Sequence, residues 1–363
     1  MEPYLKNLAT EETIPTELEE LQTRIDSLFN SQIDENEPGA AVLVSYDGEM
    51  IIGKGYGLRD LESKQPITTS TNMRMASVSK QFTALTLLSL VDNGKLSLSD
   101  SVYGIFQNET FKDVTIEQLI NHTSGLADAE ESFYTEWDST KIVDNKDILD
   151  WYFKKNRSIA KPGESYQYNN GIYELIPSIV EKVSGQGFRE FAKEHVFEKA
   201  GMNRTNFFNS ANPNEIEERA YCYEKDHSGI WNKMDGHFLN GVLGAGGVYT
   251  SVDDYFQYDL VLRNSSILSD ATHELIFKPS STETVEGVDR HYAMGWFVTD
   301  TTAIHTGGWF GVRTYAKRYL NKPLTIAIFM NTDALFDYEI IDKMESLVLE
   351  YVEAIAPNTY TTA

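Results

Sequence analysis

The chain has 363 residues, a formal net charge of −24 and one cysteine, Cys222. An acidic balance of that size argues against nucleic acid and anionic membrane surfaces as partners, since both demand a basic face, and a lone cysteine excludes an intrachain disulfide. With 41% hydrophobic, 12% aromatic and 24% charged residues the composition is ordinary for a globular protein with a sizeable core.

Residues 1–15 are expected to be a flexible N-terminus. Thr16 followed three residues later by Glu19 is a capping-box start. Leu18, Leu21, Ile25, Leu28 and Phe29 then recur at helical spacing, predicting an amphipathic helix to about residue 32. A strand over 41–46, a two-residue turn at Asp47-Gly48 and a return strand over 50–56 read as a hairpin. Polar loop fills 58–76. A helix over 77–91 stops at Asp92-Asn93-Gly94-Lys95. Helices are further predicted over 115–122, 145–155, 170–185, 187–199 and 252–263. Strands return at 292–299, 311–320 and 324–331, and a last helix spans about 335–356. Strands from both ends of the chain thus flank a helical middle. The simplest architecture is an antiparallel sheet with terminal helices and a helical insertion, and clefts form at such a junction.

The 77–91 helix is apolar nearly all round, which marks it as buried, and Lys80 is its only charge. A buried lysine is costly unless something pairs or uses it. Ser77 lies three residues before it, so the two share a helix face. A hydroxyl needs a base beside it to act as nucleophile, and desolvation lowers a lysine pKa. Read alone, Ser-x-x-Lys is equally a helix start with a snorkelling lysine. A second copy, Ser158 to Lys161, runs into Pro162-Gly163 and reads as loop.

Two more stretches carry candidate chemistry. Tyr168 and Asn170 precede the 170–185 helix. Tyr168 is a candidate proton relay beside a lysine, and Asn170 a candidate holder of Lys80 or of a substrate amide. The stretch 304–311, with His305, Thr306, Gly307 and Gly308, lies between strand candidates. Glycines there let a substrate backbone come close, and the Gly308 N–H with the Ser77 N–H is a candidate oxyanion hole.

In this order Ser77-x-x-Lys80, Tyr168-x-Asn170 and His305-Thr306-Gly307 resemble the three motifs of class C β-lactamases, penicillin-binding proteins and related serine hydrolases. Asn121 to Leu126, Ala245 to Tyr249 and Gly295-Trp296 fit the same family, so the resemblance runs over about 17–355. It implies an α/β (α+β) fold, with an antiparallel sheet flanked by N- and C-terminal helices plus an all-helical lobe. The expected organisation is one catalytic domain over 16–363, with an α/β lobe at about 16–76 and 265–358 and a helical lobe at about 77–264. It implies Ser77 as the acyl-accepting nucleophile, with Lys80 and Tyr168 sharing general base and acid work. No cofactor or metal is expected.

The third motif of the lactamase type usually begins with lysine, and here it begins with His305. An ester, amide or D-amino-acid peptide substrate is therefore favoured over a β-lactam or a D,D-carboxypeptidase substrate. Free histidine titrates near about 6.5, so recognition of a substrate carboxylate by His305 is expected to fade between pH 6 and 8, with Arg313 as a second anchor. A non-catalytic sensor or scaffold is the alternative from another class. The seven histidines form no H-E-x-x-H pair, and the chain has no Gly-x-Ser-x-Gly elbow. No apolar run of about 18 residues predicts a membrane span. Residues 1–30 lack the regions of a signal peptide, so the chain as given is expected in the cytoplasm, or in the cell envelope if an export segment precedes it. The partner expected is a small-molecule or peptide substrate.

Overall fold

The computed structural model describes residues 16–154, 157–285, 288–335 and 338–355; the expected flexible N-terminus, 1–15, lies outside them. Two compact units divide the chain, one within Met1–Gln32 and Asp337–Ala363, the other Ile33–Phe336. In the first, helix α1 (Glu17–Asn30) pairs with the last helix, Tyr338–Ile355. The capping box is present: Glu19 N donates to Thr16 Oγ1 and Thr16 N donates to Glu19 Oε2. Arg24 and Glu350 join the two helices by an exposed ion pair of 2.7 Å.

The second unit is built on an eight-stranded antiparallel sheet. Its strands are β1 (Ala40–Tyr46), β2 (Glu49–Tyr56), β3 (Ser281–Val285), β4 (Val288–Ala293), β5 (Trp296–Val298), β6 (Thr302–Trp309), β7 (Val312–Tyr319) and β8 (Leu324–Met330). Their order is β3-β4-β5-β6-β7-β8-β1-β2, so the early hairpin enters beside the last strand, with Ala40 opposite Met330. Positive φ at Asp47 and Gly48 makes the β1–β2 turn the two-residue kind that matches strand twist.

The strand expected over 292–299 is two strands. Met294 and Gly295 both take positive φ and reverse the chain between β4 and β5. A Cβ on Gly295 would sit 2.7 Å from the Gln81 backbone nitrogen, so this turn is pressed onto the backbone of the helix Ser79–Asp92. The stretch expected as a glycine-rich link is β6 itself, and only Phe310-Gly311 turns.

Between β2 and β3 come the helices, chiefly α2 (Ser79–Asp92), α3 (Ala129–Glu136), α4 (Asn170–Ser184) and α5 (Val252–Arg263). Every residue of α2 from Ser79 to Leu90 is buried. Phe82 packs edge-on to Phe197 and Tyr255 and tilted on Tyr258. Among the described residues no helix is long and apolar enough to cross a membrane.

A buried polar node ties α5 to the sheet. Asp259, 1% exposed, accepts from Ser45 Oγ on β1 (2.8 Å), Thr325 Oγ1 on β8 (2.6 Å), Arg263 Nε (3.1 Å) and the Arg318 guanidinium on β7. Burial pulls the Arg318 pKa down to about 10 against the opposing pull of Asp259. Removing one partner of a buried pair leaves an uncompensated charge, at a cost of about 3–5 kcal/mol. Asp259→Ala is therefore expected to lower unfolding stability by that amount in urea titrations, with the m-value unchanged. A loss under about 1 kcal/mol would show that water reaches Arg318.

Candidate active site

The site is assembled around one irregular turn. The chain enters on the short strand Met73–Arg74, paired with Val248–Thr250, and makes a 3-10 turn, Ala76–Val78, before α2 begins. Ala76 takes φ 44, a left-handed conformation unfavourable for a residue with a Cβ. Three bonds hold it: Met75 N donates to Val248 O (2.9 Å), Thr314 Oγ1 to Met75 O (2.9 Å) and Val78 N to Met75 O (3.1 Å). The outcome is that Ser77 is the only residue from 71 to 90 that is not buried. Ser79 is committed elsewhere, its Oγ accepting from Val248 N at 3.1 Å.

Lys80, with no solvent exposure, points its nitrogen at three oxygens. Nζ donates to Asn170 Oδ1 (2.7 Å), Ala245 O (3.1 Å) and Ser77 Oγ (3.2 Å). The ring of Tyr168 lies 4.9 Å from it and that of Tyr173 5.6 Å.

Asn170 is placed by the start of α4. Asn169 caps that helix, its side chain accepting from Ile172 N. The Asp128 carboxylate accepts from Asn170 N (2.8 Å), Gly171 N (2.9 Å) and Glu130 N (2.9 Å), so one side chain anchors the starts of both α3 and α4. The Asn170 amide nitrogen donates to Glu130 Oε1 at 2.8 Å. Glu130 and Glu174 are both buried, and each acts on the ionisation of the other. Desolvation raises both pKa values, most strongly that of Glu174. Ser77, Asn170, Glu130, Glu174, Arg74 and Gly308 are among the residues lining one cavity of about 90 Å³.

Strand β6 forms the facing wall. Its burial alternates, with Ala303, His305 and Gly307 turned inward. Gly307 is against the Ser77 turn: a Cβ there would lie 2.7 Å from Met75 O and 3.0 Å from Ser77 N. His305, 2% exposed, sits among Tyr168, Tyr292 and Phe297. Its Nδ1 is 2.6 Å from Thr306 O, so Nδ1 carries the proton and donates. Burial, then the charge of Lys80, push its pKa down to about 3. The expected titration between pH 6 and 8 does not fit this placement, because a side chain sealed in an aromatic wall is neutral throughout. Arg313 donates to the carbonyls of Trp309 (3.1 Å) and Val312 (2.8 Å), and pairs only at 3.9 Å with Asp333.

The structure brings Ser77, Lys80, Asn170, Tyr168, His305, Gly307 and Gly308 to this one site. The second Ser-x-x-Lys copy lies on a loop where Ile159 is 58% exposed. Sequence reasoning missed Asp128, Glu130 and Glu174. Glu174 had a signal, being one acid in the buried run from Gly171 to Val180 of α4.

The family model described as Beta-lactamase matches residues 22–347. A penicillin-binding protein of Bacillus subtilis (strain 168) is 32% identical over 330 residues, 87% of this chain and 73% of that protein. Protein flp of Staphylococcus aureus (strain MW2) is 28% identical over 194 residues, 51% of this chain and 38% of that protein, so the match spans well under two thirds of that relative. Among solved structures, the octameric penicillin-binding protein homologue from Pyrococcus abyssi superposes with TM-score 0.75 at 25% identity, covering 91% of this chain and 76% of that one. D-amino acid amidase from Ochrobactrum anthropi SV3 shares the fold, with TM-score 0.76 at 20% identity over 92% of this chain and 99% of that one.

The placement of His305 predicts its acid behaviour. An unfolded histidine binds a proton near about 6.5, whereas folded His305 stays neutral down to about 3. Its contribution to stability is full above pH 6.5 and is lost as pH falls toward 3. His305→Asn is expected to flatten the acid limb of stability against pH, and 15N shifts of His305 should hold the neutral Nδ1–H form from pH 8 to 5. An imidazolium signal appearing near pH 6 would contradict the burial.

Proposed function

We propose that this chain, which belongs to the beta-lactamase family, is a serine hydrolase working through an acyl-enzyme on Ser77, with an ester, amide or D-amino-acid peptide bond as its target. Serine-hydrolase activity is the property of the family; the nucleophile, its base and the substrate class are our reading. One observation carries it. Two oxygens that can only accept, Asn170 Oδ1 and Ala245 O, occupy two directions of Lys80 Nζ, and the third faces Ser77 Oγ. A neutral amine so held has two N–H bonds committed and its lone pair aimed at the serine hydroxyl.

In this mechanism the Ser77 proton passes to Lys80 Nζ while Oγ bonds to the substrate carbonyl carbon. The lysinium formed is stabilised by the faces of Tyr168 and Tyr173, each interaction worth about 0.5–2 kcal/mol. The oxyanion is received by the Ser77 and Gly308 N–H groups. Antiparallel pairs alternate between bonded and open. A Trp309–Val312 pair closing the hairpin with hydrogen bonds makes Gly308–Arg313 an open pair. Gly308 N–H then turns away from β7, to a side where β5 has already ended. Collapse of the intermediate expels the leaving group, which takes the proton held on Lys80 Nζ by way of the hydroxyl of Tyr168, a residue 36% exposed. Water then releases the acid from Ser77.

The neutral, buried His305 supports an ester or amide over a substrate that needs a cation at that position. The name of the Bacillus subtilis relative supports penicillin as a second acylating ligand.

A fluorescent phosphonate should label the protein once, with peptide mapping placing the adduct on Ser77. Ser77→Ala should abolish both label and ester turnover. Lys80→Ala should cost roughly 10²–10⁴ in kcat, the usual size for a general base. Adding Tyr168→Phe should cost little more, since residues on one proton path are not additive. An adduct on Ser79 or Ser158, or labelling without turnover of any ester, would overturn the hydrolase reading in favour of another nucleophile or of a binding protein.

A further inference from the structure

The mechanism above makes no use of Arg74. This residue ends the short strand that leads into the Ser77 turn. It is 8% exposed, and it is the one cation among the described residues lining the cavity that also holds Ser77. A guanidinium carries its charge at every working pH, and a charge this deep is costly unless something pairs with it. Among the described residues the Arg74 side chain makes one hydrogen bond, from Nη2 to Asn240 Oδ1 at 2.7 Å, and no ion pair. Nε is buried without a partner, and Nη1 donates to nothing. Asp235, whose carbonyl accepts from Asn240 Nδ2, has its carboxylate taken by Arg219 Nη2 and Cys222 N.

The surroundings hold the guanidinium without neutralising it. The Trp309 ring centre lies 5.9 Å from Cζ. Trp309 Nε1 donates to the same Asn240 oxygen at 2.8 Å, so Asn240 fixes both side chains. Leu239 and Val242 line the same cavity. Burial, then the charge of Arg74, lower the pKa of His237, which is stacked on Phe310; the charge there meets a neutral ring and no counter-ion. The outside charges that weigh most on the Glu130–Glu174 pair are those of Asp128 and Lys80. The other cations of the cleft are committed, Lys80 to Ser77, Asn170 and Ala245, and Arg313 to two backbone carbonyls.

We propose that Arg74 anchors a carboxylate on the acyl half of the substrate, so that the bond cleaved is an amide or ester of an acid bearing a second carboxyl group. The inference rests on the acyl-enzyme reading above. Position decides which half carries the charge. His305 and Trp309 stand four residues apart on β6, roughly 13 Å at about 3.3 Å per residue, and Gly308, an oxyanion donor in that reading, lies between them. Tyr168, which passes the proton to the leaving group, is beside His305. The leaving group therefore departs toward that end, and the acyl chain runs toward Trp309 and Arg74. The cavity of about 90 Å³ suits a short chain. A carboxylate accepting from Nη1 makes a charge-assisted hydrogen bond, stronger than a neutral one, and supplies the counter-ion that the described residues leave out. Its attraction to Arg74 is little screened between apolar and aromatic walls.

The test uses methyl p-nitrophenyl phosphonates whose phosphorus-bound chain stands in for the acyl group. Ser77 Oγ bonds to phosphorus, p-nitrophenolate leaves with the electron pair of the broken P–O bond, and its release gives the rate. The chain is 3-carboxypropyl or its neutral isostere, 3-carbamoylpropyl. With the full-length protein at pH 7, the second-order rate constant for the carboxylate reagent should exceed that for the amide at least tenfold, with the adduct on Ser77. Arg74→Gln should bring the ratio to within threefold of unity, which loss of a merely structural arginine would not do, since it slows both reagents alike. If that variant does not fold, the reagent pair in the unaltered protein still decides. Equal rates with the adduct on Ser77 overturn the carboxylate subsite and leave the acyl-enzyme reading standing. A preference that survives in folded Arg74→Gln overturns the assignment to Arg74. A preference that appears only when the carboxylate is on the departing ring, in the 3-carboxy-4-nitrophenyl ester of the butylphosphonate, overturns the placement on the acyl side. Failure of every reagent to label Ser77 instead overturns the acyl-enzyme reading.

Discussion

The organisation of this molecule depends on keeping one lysine nitrogen out of water. Lys80 has no solvent exposure, and a buried ammonium or amine is tolerable only when its bonding directions are filled. Filling them sets much else. Asn170 must present Oδ1, which needs α4 to begin at that residue, which needs Asp128 to hold the first N–H groups of the helix. Ala245 must present its carbonyl, which places the glycine-rich approach to Val248 alongside α2. Each requirement joins segments far apart in the chain, so the site and the packing of the helical region are specified together.

Across the cleft the constraint is steric. The Ser77 turn is held by Thr314 of β7 through Met75 and lies against Gly307 of β6. A side chain at 307 would enter the space of Met75 O and Ser77 N, so glycine is needed for contact rather than for backbone freedom. The strained φ of Ala76 persists because strand pairing before it and helix α2 after it over-determine the turn. Exposure of Ser77 within a run of buried residues is the product of that strain.

Where each element lies was legible to the extent that its pattern was local. The Thr16 capping box, the Asp47-Gly48 hairpin and the apolar α2 carry their own signals and stand where periodicity puts them. Met294-Gly295 was read through as strand because Met is an unusual turn residue, and its reversal is enforced by contact with Gln81. In the site, Lys80 was visible as a lone charge in an apolar helix. Glu174 is likewise the one charge in the buried run Gly171–Val180 of α4, and it escaped notice because no nucleophile adjoins it in sequence. Asp128 and Glu130 sit in a segment with no apolar run to contrast with, and only folding brings them to Asn170. The Asp259 node was unreadable for a similar reason, its partners coming from β1, β7 and β8.

His305 shows how strand parity decides chemistry. Taken as part of a loop, the residue is free to face substrate and titrate. In β6 the inward face is fixed by Gly307, which must meet the Ser77 turn, and residues two apart on a strand share a face. His305 is thereby committed to the interior, where the aromatic rings and the Lys80 charge keep it neutral. A long lysine leaving this position would reach beyond the rings, whereas an imidazole ends among them and donates to the Thr306 carbonyl. The sheet wall of the cleft therefore offers carbonyl and N–H groups more than charge, with Arg313 itself tied to backbone carbonyls. Charge in the cleft is concentrated on the helical side, where Asn170 stands between Lys80 and the Glu130–Glu174 pair, its Oδ1 accepting from the lysine and its amide nitrogen donating to Glu130.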